Sequence, residues 1–253
     1  MEVYAAQIDV MDQAIGRLVA KLDELGRLED TLILFLADNG GCAEELKLSE
    51  QSTTLHLPTE TLDSRPVRIG NYPNDMPGQD DDYMSYATPW ANASNTPFRL
   101  YKHWVHEGGI SSPLIAHWPN GIAASGEWTD EPSHLIDIMA TCLDVAGTEY
   151  PAHATPLEGK SLTPLFTGTE REGHDALYWE HEGNRAVRQG KWKLVSKHSP
   201  PEEGRWELYD LEADRTELND LSGQMPEKVD QMARLWQVWA DRVGVVEWGS
   251  WDG

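Results

Sequence analysis

The sequence predicts an α/β protein, with a mixed sheet flanked by helices followed by a small antiparallel sheet and a closing helix. An amphipathic helical pattern over residues 2–25 is followed by an apolar run at 31–37, which is typical of a buried strand in an α/β sheet. Towards the carboxyl terminus, short strand-like runs with hairpin spacing replace this pattern. We therefore divide the chain into two parts, residues 1–168 and residues 169–253.

Composition excludes several classes of protein. The chain has 253 residues, of which 40% are hydrophobic, enough to form one large core or two small ones. Twenty basic residues against 43 acidic ones give a net charge of −23, which argues against nucleic-acid binding and against long-range capture of polyanions. The longest apolar run is too short to span a membrane, and residues 1–9 lack the basic region of a signal peptide. Two cysteines, Cys42 and Cys142, do not make a disulfide framework.

The first helix and strand lead to a cluster of polar residues. Apolar residues repeat at spacings of three and four through residues 8–25, and Gly26 stands where a helix commonly ends. The strand at 31–37 then ends at Asp38-Asn39-Gly40-Gly41. Ligands of α/β proteins bind at the carboxyl ends of strands, so we expect a site here.

The middle of the chain contains a long irregular segment. Residues 44–97 hold six prolines, several aromatic residues and little periodicity, which predicts a long irregular loop that is ordered and packs back on the body of the protein. A short apolar run at 113–118 predicts another strand. Residues 134–146 predict a helix that ends at Gly147.

The last part predicts a β-meander closed by a helix. Strand-like runs occur at 176–180, 185–188, 191–195 and 206–211. Gln189-Gly190 has the composition of a hairpin turn. Aromatic and apolar residues at helical spacing over 229–243 predict the closing helix.

Asp38 and Asn39 are candidate metal ligands. Carboxylate and amide oxygens are hard donors that suit Ca²⁺ or Mg²⁺. An Asp-Asn-Gly sequence is also common in turns that simply close a strand, and the residues alone favour that simpler interpretation.

Three further clusters carry charged residues. Lys102 precedes a Gly-Gly pair, and its compact ammonium suits a sulfate or phosphate oxygen, but composition alone favours a surface turn with a solvated lysine. The neighbouring His103 is either packed or solvated. His181 lies between two glutamates and is a candidate metal ligand, but a polar hairpin turn is the favoured interpretation. The acidic run at 80–82 is expected to be a solvated loop face.

The ordered set of these segments resembles the formylglycine-dependent sulfatases, the arylsulfatase type of the alkaline phosphatase-like superfamily. The resemblance spans nearly the whole chain, and no single segment carries it. The matching segments, in family order, are residues 9–16, the run 30–40, Arg99-Leu100-Tyr101-Lys102 with Glu107-Gly108-Gly109, residues 134–141, 179–188 with 191–195, and 206–211.

The resemblance implies a sulfatase site. Asp38 and Asn39 occupy the position of an Asp-Asn pair that completes an all-oxygen Ca²⁺ site. Lys102 occupies the place of a catalytic lysine that contacts the sulfate, and His103 is a weaker candidate for substrate binding. The expected substrate is a sulfate ester. The family's nucleophile is a formylglycine, made from the cysteine of a Cys-x-Pro-x-Arg motif, and the ion and lysines stabilise the charge that develops on the sulfuryl group.

The chain departs from the family in one large respect. It contains neither Cys-x-Pro-x-Arg nor Ser-x-Pro-x-Arg, and neither Cys42 nor Cys142 lies in such a context. The family's first pair of metal-binding aspartates also has no counterpart. We therefore expect the carboxyl-terminal half of a sulfatase, a fragment or truncated reading frame that is inactive alone and whose partner is the missing amino-terminal half. The compartment is left open, and a periplasmic or secreted parent would fit the family.

Two alternatives stay open at this point. A phosphodiesterase or phosphonate hydrolase of the same superfamily would share the architecture but use a different metal set. A non-catalytic acidic binding fragment would account for the missing nucleophile motif. Asn39 beside Asp38 favours the calcium-dependent sulfatase over the first alternative.

Overall fold

The computed structural model describes residues 1–46, 59–72, 74, 76–123, 126–199 and 204–250. Its regular elements, in chain order, are α1 (Glu2–Glu24), β1 (Ile33–Leu36), β2 (Arg68–Ile69), β3 (Asp82–Tyr83), α2 (Ala87–Asn95), α3 (Glu107–Ile110), β4 (Leu114–His117), α4 (Ile136–Ala146), α5 (Thr163–Phe166), β5 (Leu177–His181), β6 (Asn184–Gln189), β7 (Trp192–Ser196), β8 (Trp206–Asp210) and α6 (Pro226–Val243). They belong to two compact units, one of Met1–Leu18 with Asn39–Ser111 and one of Val19–Asp38 with Ser112–Gly253.

Helix α1 confirms the first predicted helix. It runs from Glu2 to Glu24, and Gly26 beyond it has a φ of 60°, which suits the residue that ends a helix. None of its residues is buried, and Val10 and Leu18 are both 63% exposed. A surface helix normally gains most of its stability by burying its apolar stripe. Within this chain α1 therefore gains only a small part of that stabilisation, for example where Tyr4 stacks on Tyr86.

The first unit contains a helix that the sequence pattern did not predict. Helix α2, Ala87–Asn95, lies inside the segment expected to be an irregular loop, so that expectation is wrong for these residues. Pro89 lies in the first turn of α2, where proline is tolerated because the early N–H groups have no partner within the helix. Part of the predicted loop, 47–58, lies outside the described residues.

Strand β1 belongs to the second unit and pairs antiparallel with β4 in a two-stranded sheet. The expectation that this apolar strand is buried on both faces is wrong for this chain. Phe35 and Ile115 are directly opposite in the register, and they are 46% and 60% exposed. Because no described layer covers this face, the cross-strand pair forms an exposed apolar patch.

The carboxyl-terminal meander and its helix are confirmed. Strands β5, β6, β7 and β8 form an antiparallel sheet in that order. Gly190 has a φ of 56° in the turn between β6 and β7, which suits the hairpin expected there. The buried core between this sheet and α6 comprises Val187, Leu194, Leu208, Met232, Trp236 and Ala240. The proposed division at residue 168 stays a prediction.

Membrane insertion is not indicated by the helices. Among the residues that the structure describes, no helix combines the length and apolar character that crossing a bilayer requires.

Candidate active site

Two loops of the first unit carry Asn39 and Lys102, and backbone hydrogen bonds hold them side by side. The Gly40 N–H donates to the Gly109 carbonyl at 2.9 Å, and the Lys102 N–H donates to the Gly41 carbonyl at 3.0 Å. The loop that follows β1 is therefore fixed to the loop that precedes β4.

Asn95, the last residue of α2, strengthens this connection. Its Oδ1 accepts a hydrogen bond from the Gly41 N–H at 2.8 Å. Its Nδ2 donates to the carbonyls of Leu100 and Gly108, at 2.9 Å and 2.8 Å. A single amide thus ties three points on the two loops. Sequence reasoning missed Asn95, because an asparagine at a helix end gives no signal of a long-range role.

Close packing explains the glycines in these loops. A Cβ added to Gly40 would lie 1.8 Å from the Gly108 carbonyl oxygen. A Cβ on Gly109 would lie 1.8 Å from the Trp104 carbonyl oxygen. No side chain fits at such distances, so both positions require glycine.

The Lys102 side chain is accessible. It is 42% exposed, and its Nζ lies 3.5 Å from Oε1 of Glu44, whose side chain is 62% exposed. An exposed pair at this distance contributes little to stability. The ammonium can therefore exchange Glu44 for an anionic ligand at small cost.

His103 follows in a left-handed backbone conformation with a φ of 92°. Its half-buried ring meets Trp104 edge-on, with centroids 4.6 Å apart and planes at 86°. This packing helps to position the ring, and a role in substrate binding stays a prediction.

Asp38 and Asn39 follow β1. Asp38 is exposed and Asn39 is half-buried. Ca²⁺ takes six to eight oxygen ligands, so these two hard oxygen donors fit part of a calcium site and cannot complete one.

The two cysteines do not supply a nucleophile motif. Cys42 is half-buried and Cys142 is exposed, and both are free thiols.

The acidic run at 80–82 is held by ion pairs. The Arg65 guanidinium bonds to the Asp80 carboxylate, and this contact lowers the pKa of Asp80 below its usual value. Asp82 pairs with Arg68 and its side chain is only 3% exposed. The expectation of a solvated face is therefore wrong for Asp82.

The hairpin interpretation of the Glu180–Asn184 segment agrees with the structure. Glu182 and Gly183 form the turn between β5 and β6 with φ values of 52° and 81°, as a tight hairpin requires. Glu180 Oε1 accepts a hydrogen bond from the Gly183 N–H at 2.9 Å.

Asp137 is the polar centre of the second unit. Its side chain is fully buried, with Oδ2 at 2.9 Å from Arg171 Nη2 and Oδ1 at 2.7 Å from His174 Nε2. Burial alone would raise the pKa of Asp137, but hydrogen bonds from the Lys160 and His134 N–H groups and from His174 hold it below its usual value. Because the Asp137 carboxylate is buried and already bonded, it stabilises the position of α4 and is not accessible to a substrate.

Comparison with known proteins gives consistent matches. A family model described as Sulfatase matches residues 1–148. A second model, described as N-sulphoglucosamine sulphohydrolase, C-terminal, matches residues 98–240. The two matches overlap and together cover all but the end of the chain.

Individual relatives are considerably longer than this chain. An uncharacterized sulfatase of Schizosaccharomyces pombe is 31% identical over 97% of this chain and 44% of its own length. Human arylsulfatase A is 26% identical over 89% of this chain and 41% of its own length. The crystal structure of Ps i-CgsB superposes with a TM-score of 0.64 at 23% identity, over 94% of this chain and 42% of that one, which supports a common fold. The chain thus spans less than half the length of these relatives.

Proposed function

Because the chain belongs to the sulfatase family, we propose that it is the carboxyl-terminal portion of an arylsulfatase-like sulfuric ester hydrolase. Matches to sulfatases over nearly the whole chain support this proposal, as does the shared fold. The substrate would be a sulfate ester. Its alcohol portion would be selected by the segment 44–97, together with His103.

Lys102 would be the catalytic residue that this chain contributes. Its ammonium would bind a sulfate oxygen and offset the negative charge that grows on the sulfuryl group in the transition state. One observation carries this role. The side chain is accessible and only weakly paired, while its backbone is bonded to the loop that bears Asn39.

Asp38 and Asn39 would supply two of the ligands of a Ca²⁺ ion. When bound, such an ion polarises the sulfuryl oxygens and stabilises developing charge. Because the two residues offer only two oxygens, the isolated chain should bind Ca²⁺ weakly. Calorimetry at moderate salt, which screens diffuse attraction to the acidic surface, should show little specific binding, and Asp38→Ala should remove what remains. A tight, salt-resistant site would mean that the ligand set here is complete.

The partner of this chain would be the amino-terminal half of the sulfatase domain. The greater length of the relatives supports this, as do the apolar side chains exposed on α1 and on the β1–β4 sheet. That half would carry the formylglycine precursor in Cys- or Ser-x-Pro-x-Arg and the remaining metal ligands. Sequencing the DNA upstream of Met1 tests this directly. A stop codon and promoter there, with a cooperative melt of a monomeric 253-residue chain, would contradict it.

Activity measurements test the proposed chemistry. The isolated chain, expressed with a formylglycine-generating enzyme, should not hydrolyse 4-nitrophenyl sulfate above a heat-killed control. In the two-part protein, Lys102→Ala should lower kcat by a factor of about 10² to 10³, the usual effect of removing one group that stabilises transition-state charge. The matched control is Lys21→Ala, whose ammonium makes only an exposed ion pair with Glu24. Equal activity of the two variants would refute the role of Lys102.

A substrate and metal comparison separates the sulfatase from its nearest alternative. The two-part protein should contain Ca²⁺ and prefer sulfate esters. Zn²⁺ or Mn²⁺ together with faster hydrolysis of a phosphonate monoester or phosphodiester would assign it to that alternative class.

A further inference from the structure

Arg185 lies in a corner formed by two tryptophans in the second unit. Its guanidinium carbon is 4.6 Å from the centroid of Trp206 and 5.3 Å from that of Trp236. The two rings are 6.2 Å apart and inclined at 63°. Both contacts lie within the range of cation–π attraction.

This guanidinium has no carboxylate partner among the residues that the structure describes. Its one side-chain hydrogen bond is from Nη2 to Ser196 Oγ at 3.3 Å, and Ser196 is only 1% exposed. Glu180 is opposite Arg185 in the β5–β6 register, but its carboxylate bonds to the turn instead.

Buried cations elsewhere in the same unit are paired. Arg171 bonds to Asp137 at 2.9 Å, and Lys193 lies 2.8 Å from Glu217. A guanidinium without a carboxylate partner in the described part of the chain is notable when the sequence has 43 acidic and 20 basic residues. Partial burial lowers the pKa of Arg185, because desolvation disfavours its charged form. No carboxylate among the described residues offsets that cost.

We propose that Arg185, positioned by its hydrogen bond to the buried Ser196 hydroxyl, forms a binding site for a small oxyanion, either sulfate or carboxylate. A guanidinium has five N–H donors in a planar fork, and that fork matches two oxygens of an oxyanion. Trp206 and Trp236 hold the plane in place, so little side-chain freedom is lost on binding. Arg185 is half-exposed, which leaves the fork accessible. Arg185 belongs to the second unit, whereas Lys102 belongs to the first.

Tryptophan fluorescence of the full chain tests the site, because two indoles contact the cation. Sodium sulfate and sodium acetate are titrated separately, with sodium chloride adjusted to keep the ionic strength constant. Wild-type protein should respond saturably with a midpoint on the order of millimolar for at least one of the two anions. Comparing the two midpoints identifies the preferred oxyanion.

Substitutions assign the response to Arg185. Arg185→Met should abolish it, and Arg185→Lys should weaken it about tenfold, because lysine keeps the charge but lacks the fork. Arg188→Met is the matched control on the same strand, where Arg188 Nε donates to the Gly190 carbonyl, and it should leave the midpoint unchanged. Repeating the titration in the Lys102→Ala background removes any response from the proposed sulfatase site, and the Arg185-dependent midpoint should be the same there.

Two outcomes would overturn the proposal. One is a wild-type response that never saturates or is matched by chloride. The other is a midpoint that is unchanged in the Arg185→Met variant, provided that circular dichroism shows this variant to be folded. If that variant unfolds, Arg185→Lys decides, since a midpoint equal to wild type would exclude recognition by the fork.

Discussion

Asn95→Asp is the most direct test of how the candidate site is held together. The substitution keeps the shape of the side chain and exchanges the amide for a carboxylate. The carboxylate can still accept from the Gly41 N–H, but it cannot donate to the carbonyls of Leu100 and Gly108, which lie 2.9 Å and 2.8 Å from Nδ2.

The expected cost follows from these contacts. Each lost hydrogen bond contributes about 0.5–1.5 kcal/mol, and a carbonyl left without a donor adds a desolvation cost. The site is only half-buried, so water will recover part of this loss. We therefore expect Asn95→Asp to lower the free energy of unfolding of the first unit by about 2–4 kcal/mol.

Denaturant unfolding and amide hydrogen exchange measure the effect. The N–H groups of Gly40, Gly41 and Lys102 should exchange faster in Asn95→Asp than in wild type, because they join the two loops. The control is Asn92→Asp, which places the same charge at an exposed position of α2. A loss below about 0.5 kcal/mol, the range of ordinary surface substitutions, with unchanged exchange at these amides, would refute the reasoning.

Three further predictions concern the second unit. Asp137→Asn should lower the free energy of unfolding by about 3–5 kcal/mol, because it leaves the buried Arg171 with only the more distant Glu131, at 3.6 Å, as a carboxylate partner. Asp144→Asn, at an exposed position of α4, should lower it by about 1 kcal/mol or less, and thermal unfolding compares the two variants. Burial lowers the pKa of His134 below 6.5, so the unfolded state takes up a proton more readily than the folded state. The free energy of unfolding should therefore be at its full value above pH 6.5 and should fall as the pH drops from there toward the pKa of the folded state. His134→Gln should flatten that part of the pH profile, and an unchanged profile would contradict this. Phe35→Ser should reduce aggregation of the isolated chain in light scattering, because it removes an exposed apolar side chain; equal scattering would count against exposure as the cause.

Local patterns predicted most of the regular structure. The helix at 2–25 and the meander with its final helix were found because residue spacing alone indicates helical and extended periods. Helix α2 was missed because Pro89 and the surrounding prolines suggested a loop, and the pattern did not show that Pro89 lies in a first turn. The burial of β1 was misjudged because an apolar run reports a preference for burial, while an actual neighbour is needed to provide it.

For the candidate site, too, some features follow from the sequence and others only from the tertiary structure. The sequence by itself determined the family resemblance, the positions of Asp38, Asn39 and Lys102, and the absence of a formylglycine motif, since all of these depend on residue identity and order. Tertiary structure alone decided which groups meet. The amide of Asn95 reaches a loop 54 residues away, and Arg185 stands between two indoles without a carboxylate partner among the described residues. Hydrogen bonds and desolvation depend on distances between residues far apart in the chain, and sequence spacing does not encode those distances.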